Sequence, residues 1–146
     1  MFKIQKRIIY AIEAVLDIAL NAGAEPVQNI SIAKRQGIPK RYLEQTLQVL
    51  VKSKILVASR GPRGGYRLAK ERRKIKILDV VIAVSDKNQS SELYKSKLSN
   101  IIIKPLIERF LNECKVHLEN ISVEDIYNKF KHKNYDTSKK KVDFVI

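Results

Sequence analysis

Cysteine is nearly absent from this chain. Cys114 stands alone among 146 residues, which excludes an intrachain disulfide framework and fits a reducing compartment. Histidine is almost as scarce: only His117 and His132 are present, neither with a recognisable acid–base or nucleophile partner set, so no enzyme is expected. Long apolar runs are missing too. Glu13, Asp17 and Asn21 interrupt the first patterned stretch, and no 18-residue apolar segment remains for a membrane span. Met1 to Arg7 lead straight into an amphipathic pattern without a small-residue cleavage site, so a secretory signal is not expected and the chain is expected to be cytoplasmic, without a membrane partner. The few glycines do not build a phosphate loop. Gly61-Pro-Arg-Gly-Gly65 lacks a Lys-Ser/Thr ending and lies between two strand-like runs.

Acidic residues are also in short supply. Lys and Arg number 29 against 15 Asp and Glu, a formal charge of +14. The excess is uneven: residues 1–85 hold 17 basic and 6 acidic side chains, and residues 86–146 hold 12 and 9. A first part so basic favours a polyanion partner over general solubility.

The length suits one compact domain or a small domain with an extension. Phe2 to Leu20 reads as a helix with Ile8, Ile12, Val15 and Ala19 on one face, Ile9 and Leu16 beside it, and Glu13, Asp17 and Asn21 as a polar stripe. Gly23 and Pro26 stop it. Lys3, Lys6 and Arg7 at its start read either as a solvated basic end or as a phosphate contact. A short helix from about Asn29 to Arg35 follows, capped by Asn29 or Gln28, with Ile30 and Ile32 or Ala33 inward. Gly37 permits the positive φ of a tight turn, and Pro39 suits the first position of the next helix. In that helix Leu43, Leu47, Leu50 and Val51 recur at helical spacing, opposite Lys40, Arg41, Glu44, Gln45, Gln48 and Lys52. Ile55-Leu56-Val57 and Tyr66-Arg67-Leu68 then flank the Gly/Pro turn as a hairpin with arginine at its tip.

Helix, tight turn, polar helix and basic hairpin together describe a winged helix-turn-helix: a mainly α fold with a two-stranded wing. The helix at 39–52 is the expected reader, because a helix fits the major groove of double-stranded DNA. Lys40 and Arg41 suit phosphates or guanine, Glu44 can accept from cytosine, and Gln45 or Gln48 can pair with adenine. The wing at 57–68 brings Arg60, Arg63 and Arg67, and arginine on a glycine backbone can approach a narrow minor groove. Arg60 to Lys76 hold eight basic residues against Glu71 alone. A solvated polar face is the ordinary reading of such a helix; the flanking turn and wing favour the DNA reading. Ile75 to Ser85 should form a short helix that packs back on the core.

The run from Ile38 to Ala69, with Tyr42-Leu43-Glu44-Gln45 and the Arg60-Gly61-Pro62 … Gly64-Gly65-Tyr66 wing, followed by Ile77-Leu78-Asp79-Val80-Val81 and Ala83, resembles the Rrf2 family of bacterial transcription regulators. The likeness covers about the first 85 residues and returns at Asn120 to Tyr127. It implies that the positions of Pro39, Arg41 and Glu44 face the bases, with Tyr42 on the same helix, and that Arg60 enters the minor groove. Pro39 and Arg41 depart from the small hydroxyl residues some members carry. It also implies a homodimeric regulator, a repressor in the leading reading, on a palindromic operator.

Beyond residue 85 the chain divides into linker and dimerisation helices at 86–132 and an expected flexible tail at 133–146. Asp86 to Asn100 reads as a linker or weak helix. From about Leu98 to Leu118 an apolar stripe runs through Ile103, Ile107, Phe110, Cys114 and His117/Leu118, broadened by Ile101, Ile102 and Leu106, with Pro105 either opening or kinking the helix. So much apolar surface calls for a partner, and the simplest is the same helix of a second subunit; the family resemblance implies the same. Ser122-Val-Glu-Asp125 reads as a capping box opening a last short helix to about Phe130. Several family members hold an iron–sulfur cluster through three cysteines in the loop equivalent to residues 87–100; none is present there, and one thiolate cannot replace them, so no cofactor is expected. Cys114 reads as a small buried hydrophobe. A metal shared by Cys114 and His117 across a dimer axis is the sharper alternative, but such a pair on an apolar face is ordinarily core. A small-molecule or protein effector stays open. The competing functional reading is a winged-helix module that docks a protein or binds nucleic acid without sequence preference.

Overall fold

The computed structural model describes residues 3–87 and 92–144, with side chains as far as 134. Six helices and one hairpin follow in order: α1 (Lys6–Asn21), α2 (Asn29–Gln36), α3 (Lys40–Lys52), β1 (Leu56–Ser59), β2 (Gly65–Leu68), α4 (Ile77–Val84), α5 (Lys104–Glu119) and α6 (Val123–Phe144). A single 3₁₀ turn at Arg72–Lys74 joins the wing to α4. The core gathers around α1, which packs on α2, α3, α4 and α6.

The inward face of α1 differs from the one the spacing of large residues suggests. Ala11, Ala14, Val15 and Ile18 are sealed, whereas Ile9 is exposed and Ile8 and Ile12 are only half-buried. Small side chains let α3 and α4 approach α1 closely, and the large ones fill the margins. Asp17 belongs to this sealed face, not to a polar stripe. It is 1% exposed. Arg35 donates to it through Nε at 2.9 Å and Nη2 at 2.8 Å, and Gln36 Nε2 donates at 2.9 Å. A buried charge demands such pairing, and here it welds α1 to the end of α2. The same carboxylate raises the Arg35 guanidinium further above its ordinary range, chiefly by hydrogen bonding.

Gly37 ends α2 in the left-handed region at φ 66°. Pro39 sits just before α3, not in its first turn, and its carbonyl accepts from the Leu43 N–H at 3.0 Å. Within α2 only Ile32 is buried and Ile30 points outward, since a helix this short has one inward position. Leu43, Leu47 and Leu50 are each fully buried, with Thr46 beside them. α3 closes with Lys54 left-handed at φ 61°, Lys54 N–H donating to Val51 O and Ile55 N–H to Leu50 O, both at 3.0 Å. That is a Schellman closure with the usual apolar clasp, Leu50 on Ile55.

β1 and β2 pair antiparallel, Leu56 opposite Leu68 and Ser59 opposite Gly65. Val27 adds one bridge to Tyr66 through bonds of 2.9 and 2.8 Å. Gly65 is needed for that approach, because a Cβ there would fall 2.5 Å from the Val27 carbonyl oxygen. α4 starts at Ile77, two residues later than the pattern suggests, because Ile75 and Lys76 are extended against the segment before α6: Ile77 N–H bonds Ile121 O at 2.9 Å and Val123 N–H bonds Ile75 O at 2.8 Å.

The C-terminal helical run begins at residue 97, with Ser96 Oγ accepting from the Ser99 N–H at 3.0 Å as its cap. Pro105 lies in the first turn of α5, so it opens the main helix, and the run from residue 97 continues into it. Immediately before the proline the backbone takes one π-helical turn, Ser99–Ile103, in which Lys104 N–H reaches the Ser99 carbonyl five residues back. Pro105 has no N–H for the Ile101 carbonyl and its ring would crowd that oxygen, so the wider turn relieves both problems. Within the linker, residues 88–91 lie outside the described ones. The capping box at α6 is present: Asp125 N–H donates to Ser122 Oγ at 3.1 Å and Ser122 N–H to Asp125 Oδ2 at 2.9 Å. The Ser122 backbone N–H, then its hydroxyl, hold the Asp125 carboxyl below the usual carboxylate range. α6 continues to Phe144, past the end near Phe130 that the lack of periodicity suggests.

Candidate nucleic-acid interface

The leucines of α3 fix which way its other face looks. With Leu43, Leu47 and Leu50 inward, Lys40, Arg41, Tyr42, Glu44, Gln45 and Gln48 are all exposed, and Pro39 leads into them. None of Lys40, Arg41 or Glu44 is taken up in an ion pair among the described residues. Tyr42 differs from its neighbours, because it leans toward α1, where its ring lies 6.5 Å from that of Tyr10. The elements that hold this face steady come from outside it. Asp17 fixes the end of α2 through Arg35 and Gln36, so the turn into α3 starts from a rigid base.

The wing is anchored at its root and open at its tip. Arg60 and Arg63 are exposed. Arg67, expected among the DNA contacts, is directed elsewhere: Nη1 and Nη2 donate to the carbonyls of Gly23 and Ala24 at 2.6 and 2.7 Å. Those bonds tie the strand to the loop after α1. Gln28 Nε2 reaches the Pro62 carbonyl at 3.4 Å from the same side. The basic run after the wing is likewise less free than its count implies. Arg72 Nε meets Glu124 at 2.8 Å and its guanidinium stacks 3.6 Å over Tyr127, while Arg73 pairs with Glu71 at 2.6 Å. Glu124 and Tyr127 are partners of Arg72 that charge counting along the chain does not reveal, whereas Glu71 is a sequence neighbour of Arg73. At the other edge, Arg7 of α1 pairs with Asp86, another contact without a local signal.

The stripe on α5 stays in large part exposed among the described residues. Ile103, Ile107 and Phe110 are 38%, 37% and 49% exposed. Leu98, Ile101, Ile102, Leu106, Leu111 and Val116 are exposed as well. Cys114 lies on this open surface and is exposed, not buried among core residues. Cys114 and His117 gather no further ligand: no group of three or more His, Cys, Asp or Glu that could hold a metal occurs among the described residues. No helix among them is long and apolar enough to cross a membrane.

A helix-turn-helix pair, α2 and α3, packed with α1 and flanked by a two-stranded wing defines the winged helix-turn-helix class. The Rrf2 family profile, described as an iron-dependent transcriptional regulator, matches residues 4–129. The chain belongs to the Rrf2 family. It is 44% identical over 77 residues to the HTH-type transcriptional regulator IscR of Escherichia coli, a match covering 53% of this chain and 48% of that one. The chain thus aligns with about half the length of the curated relatives it matches. Among solved structures, T. potens IscR superposes with a TM-score of 0.72 at 31% identity, covering 88% of each chain. CymR, the global cysteine regulator of B. subtilis, does so with 0.67 at 23% identity, over 88% of this chain and 98% of its own. These relatives carry the names of regulators, not enzymes. The family's iron chemistry does not fit this chain's donors. A three-cysteine cluster cannot be assembled from one cysteine, and that one projects from α5.

Proposed function

We propose that the chain acts as a homodimeric, sequence-specific DNA-binding transcription regulator, and as a repressor by steric exclusion of polymerase. The observation that carries this reading is the combination on α3: a fully buried leucine edge, and opposite it an exposed face of Lys40, Arg41, Glu44, Gln45 and Gln48 free of ion pairs. Pro39, Arg41 and Glu44 face base edges in the major groove, with Gln45 and Gln48 further along the helix and Tyr42 at its side. Lys40 holds phosphate. Arg60 and Arg63 enter the adjacent minor groove, and Arg67 steadies the wing they ride on. The stripe of Ile103, Ile107, Phe110 and Cys114 packs against the same helix of a second copy, which sets two reading helices about one DNA turn, ~34 Å, apart on a palindrome. The regulator works without an iron–sulfur cluster, and its signal is a small molecule or a protein.

The test is selection of duplexes from a random pool by the full chain, with the mass of the free and bound protein measured by light scattering. Enrichment of an inverted repeat bound by two chains is expected. A monomer that enriches nothing would instead support the protein-docking or sequence-indifferent reading.

A further inference from the structure

A cavity of about 700 Å³ opens between the first turns of α1, the flank of α3 and the end of α4. That volume is in the range of small-ligand sites. Tyr10 and Tyr42 stand on its wall with ring planes 40° apart, and Val49 and Ala83 continue the apolar lining. The two aliphatic hydroxyls of the wall are already engaged: Thr46 Oγ1 donates to the Tyr42 carbonyl at 2.8 Å and Ser85 Oγ to the Val81 carbonyl at 2.5 Å. The rest of the lining is chiefly aromatic and cationic, with the Gln5 and Gln45 amides beside it. Lys6 and Arg7 line the cavity against one carboxylate, Asp86. Arg7 is held by Asp86 and by Gln5 Oε1 at 3.1 Å, whereas Lys6 has no carboxylate partner among the described residues.

We propose that this cavity binds a small aromatic carboxylate, its ring against Tyr10 and Tyr42 and its anion at Lys6 and Arg7. Flat rings pack on tyrosine with favourable offset or edge geometry, and the unbalanced cation selects an anion over its neutral isostere. The cavity shares a wall with the reading helix: Tyr42 and Gln45 lie one residue round from Arg41 and Glu44. A ligand that presses on Tyr42, or draws Arg7 from Asp86, shifts α3 against α1, so occupancy lowers operator affinity through differential binding to the two arrangements. This coupling rests on the DNA-reading proposal; the binding itself does not.

The test titrates 1-naphthoate and uncharged 1-naphthamide into the full chain, followed by NMR shifts of backbone amides and tyrosine rings, then repeats the titration with the selected duplex bound. Naphthoate should saturate with shifts centred on Tyr10, Tyr42 and Val49, and naphthamide should bind about tenfold more weakly, the scale of one charge-assisted contact. Lys6→Gln should remove that preference while keeping naphthamide binding. Ala83→Phe, which fills the cavity from outside the reading face, should abolish both; if it does not fold, Lys6→Gln still decides. Equal affinity for acid and amide, shifts scattered away from the cavity, or binding that survives a folded Ala83→Phe would overturn the site. If the site holds but naphthoate leaves duplex affinity unchanged, the coupling to α3 is overturned. A chain that selects no duplex leaves the shift titration to judge the cavity alone.

Discussion

Charge at single residues separates structural from functional roles here. Asp17 is sealed, while the Arg35 side chain remains 40% exposed, so the two partners are not equivalent. Removing Arg35 strands a carboxylate in the core with only Gln36 beside it; removing Asp17 leaves a cation that water can reach. Arg35→Ala should therefore cost about 3–5 kcal/mol and Asp17→Ala at least about 1 kcal/mol less. Urea unfolding of the two variants checks the order, and the reverse order would mean the pair is not sealed as described. On the open face the logic is the opposite, because Glu44 and Lys40 touch nothing that stability needs. Glu44→Ala should lower discrimination between operator and random duplex by about 1–3 kcal/mol, as should Arg60→Ala in the wing. Lys40→Ala should weaken all duplexes alike and flatten the salt slope by about one unit. Identical competition profiles for Glu44→Ala and Lys40→Ala would refute the division between reading and positioning.

Among the elements, the helical run at 97–119 turns on one extra residue. In a regular helix Leu98 would lie about 120° around the axis from Phe110; the single π turn reduces this to about 20°. Leu98 thereby joins the stripe of Ile103, Ile107 and Phe110, and Pro105 is what holds the wide turn in place. Pro105→Ala should let the run relax to regular helix, raising thermal stability while rotating Leu98 off the stripe, so the dimer constant from sedimentation should weaken. A variant with unchanged dimerisation would show that the offset does not matter. The same elements explain what could be read along the chain. α3 and the wing were legible because leucines at a clean 3.6-residue period and a Gly/Pro turn are local signals. The face of α1 was not, since close helix contact selects Ala11 and Ala14, and the partner that makes Asp17 burial tolerable lies 18 residues away. α6 escaped for a related reason: beyond Phe130 it has no apolar stripe to betray a period. Of the candidate interface, the exposed face of α3 was visible in order and spacing, whereas the engagement of Arg67 and Arg72 depends on backbone carbonyls, Glu124 and Tyr127 that only the fold brings near.

At the level of the whole molecule, charge and apolar surface are segregated. The winged part carries 17 basic against 6 acidic side chains, and the later part carries the exposed apolar stripe. If the two are halves of one device, breaking the stripe must change how the protein responds to salt on DNA. Ile107 is 37% exposed and is not part of the core, so Ile107→Asp should leave the fold intact while placing like charges face to face between copies. The monomer should then hold one half-site with about half as many phosphate contacts, and the log–log dependence of affinity on salt should fall to about half the slope of the parent, following −0.9 per phosphate neutralised. Anisotropy titrations of the selected duplex at several salt concentrations, beside light scattering of the free protein, give both quantities. A monomeric variant that keeps the parental slope would mean that one chain makes all the phosphate contacts, and the symmetric arrangement would have to be abandoned.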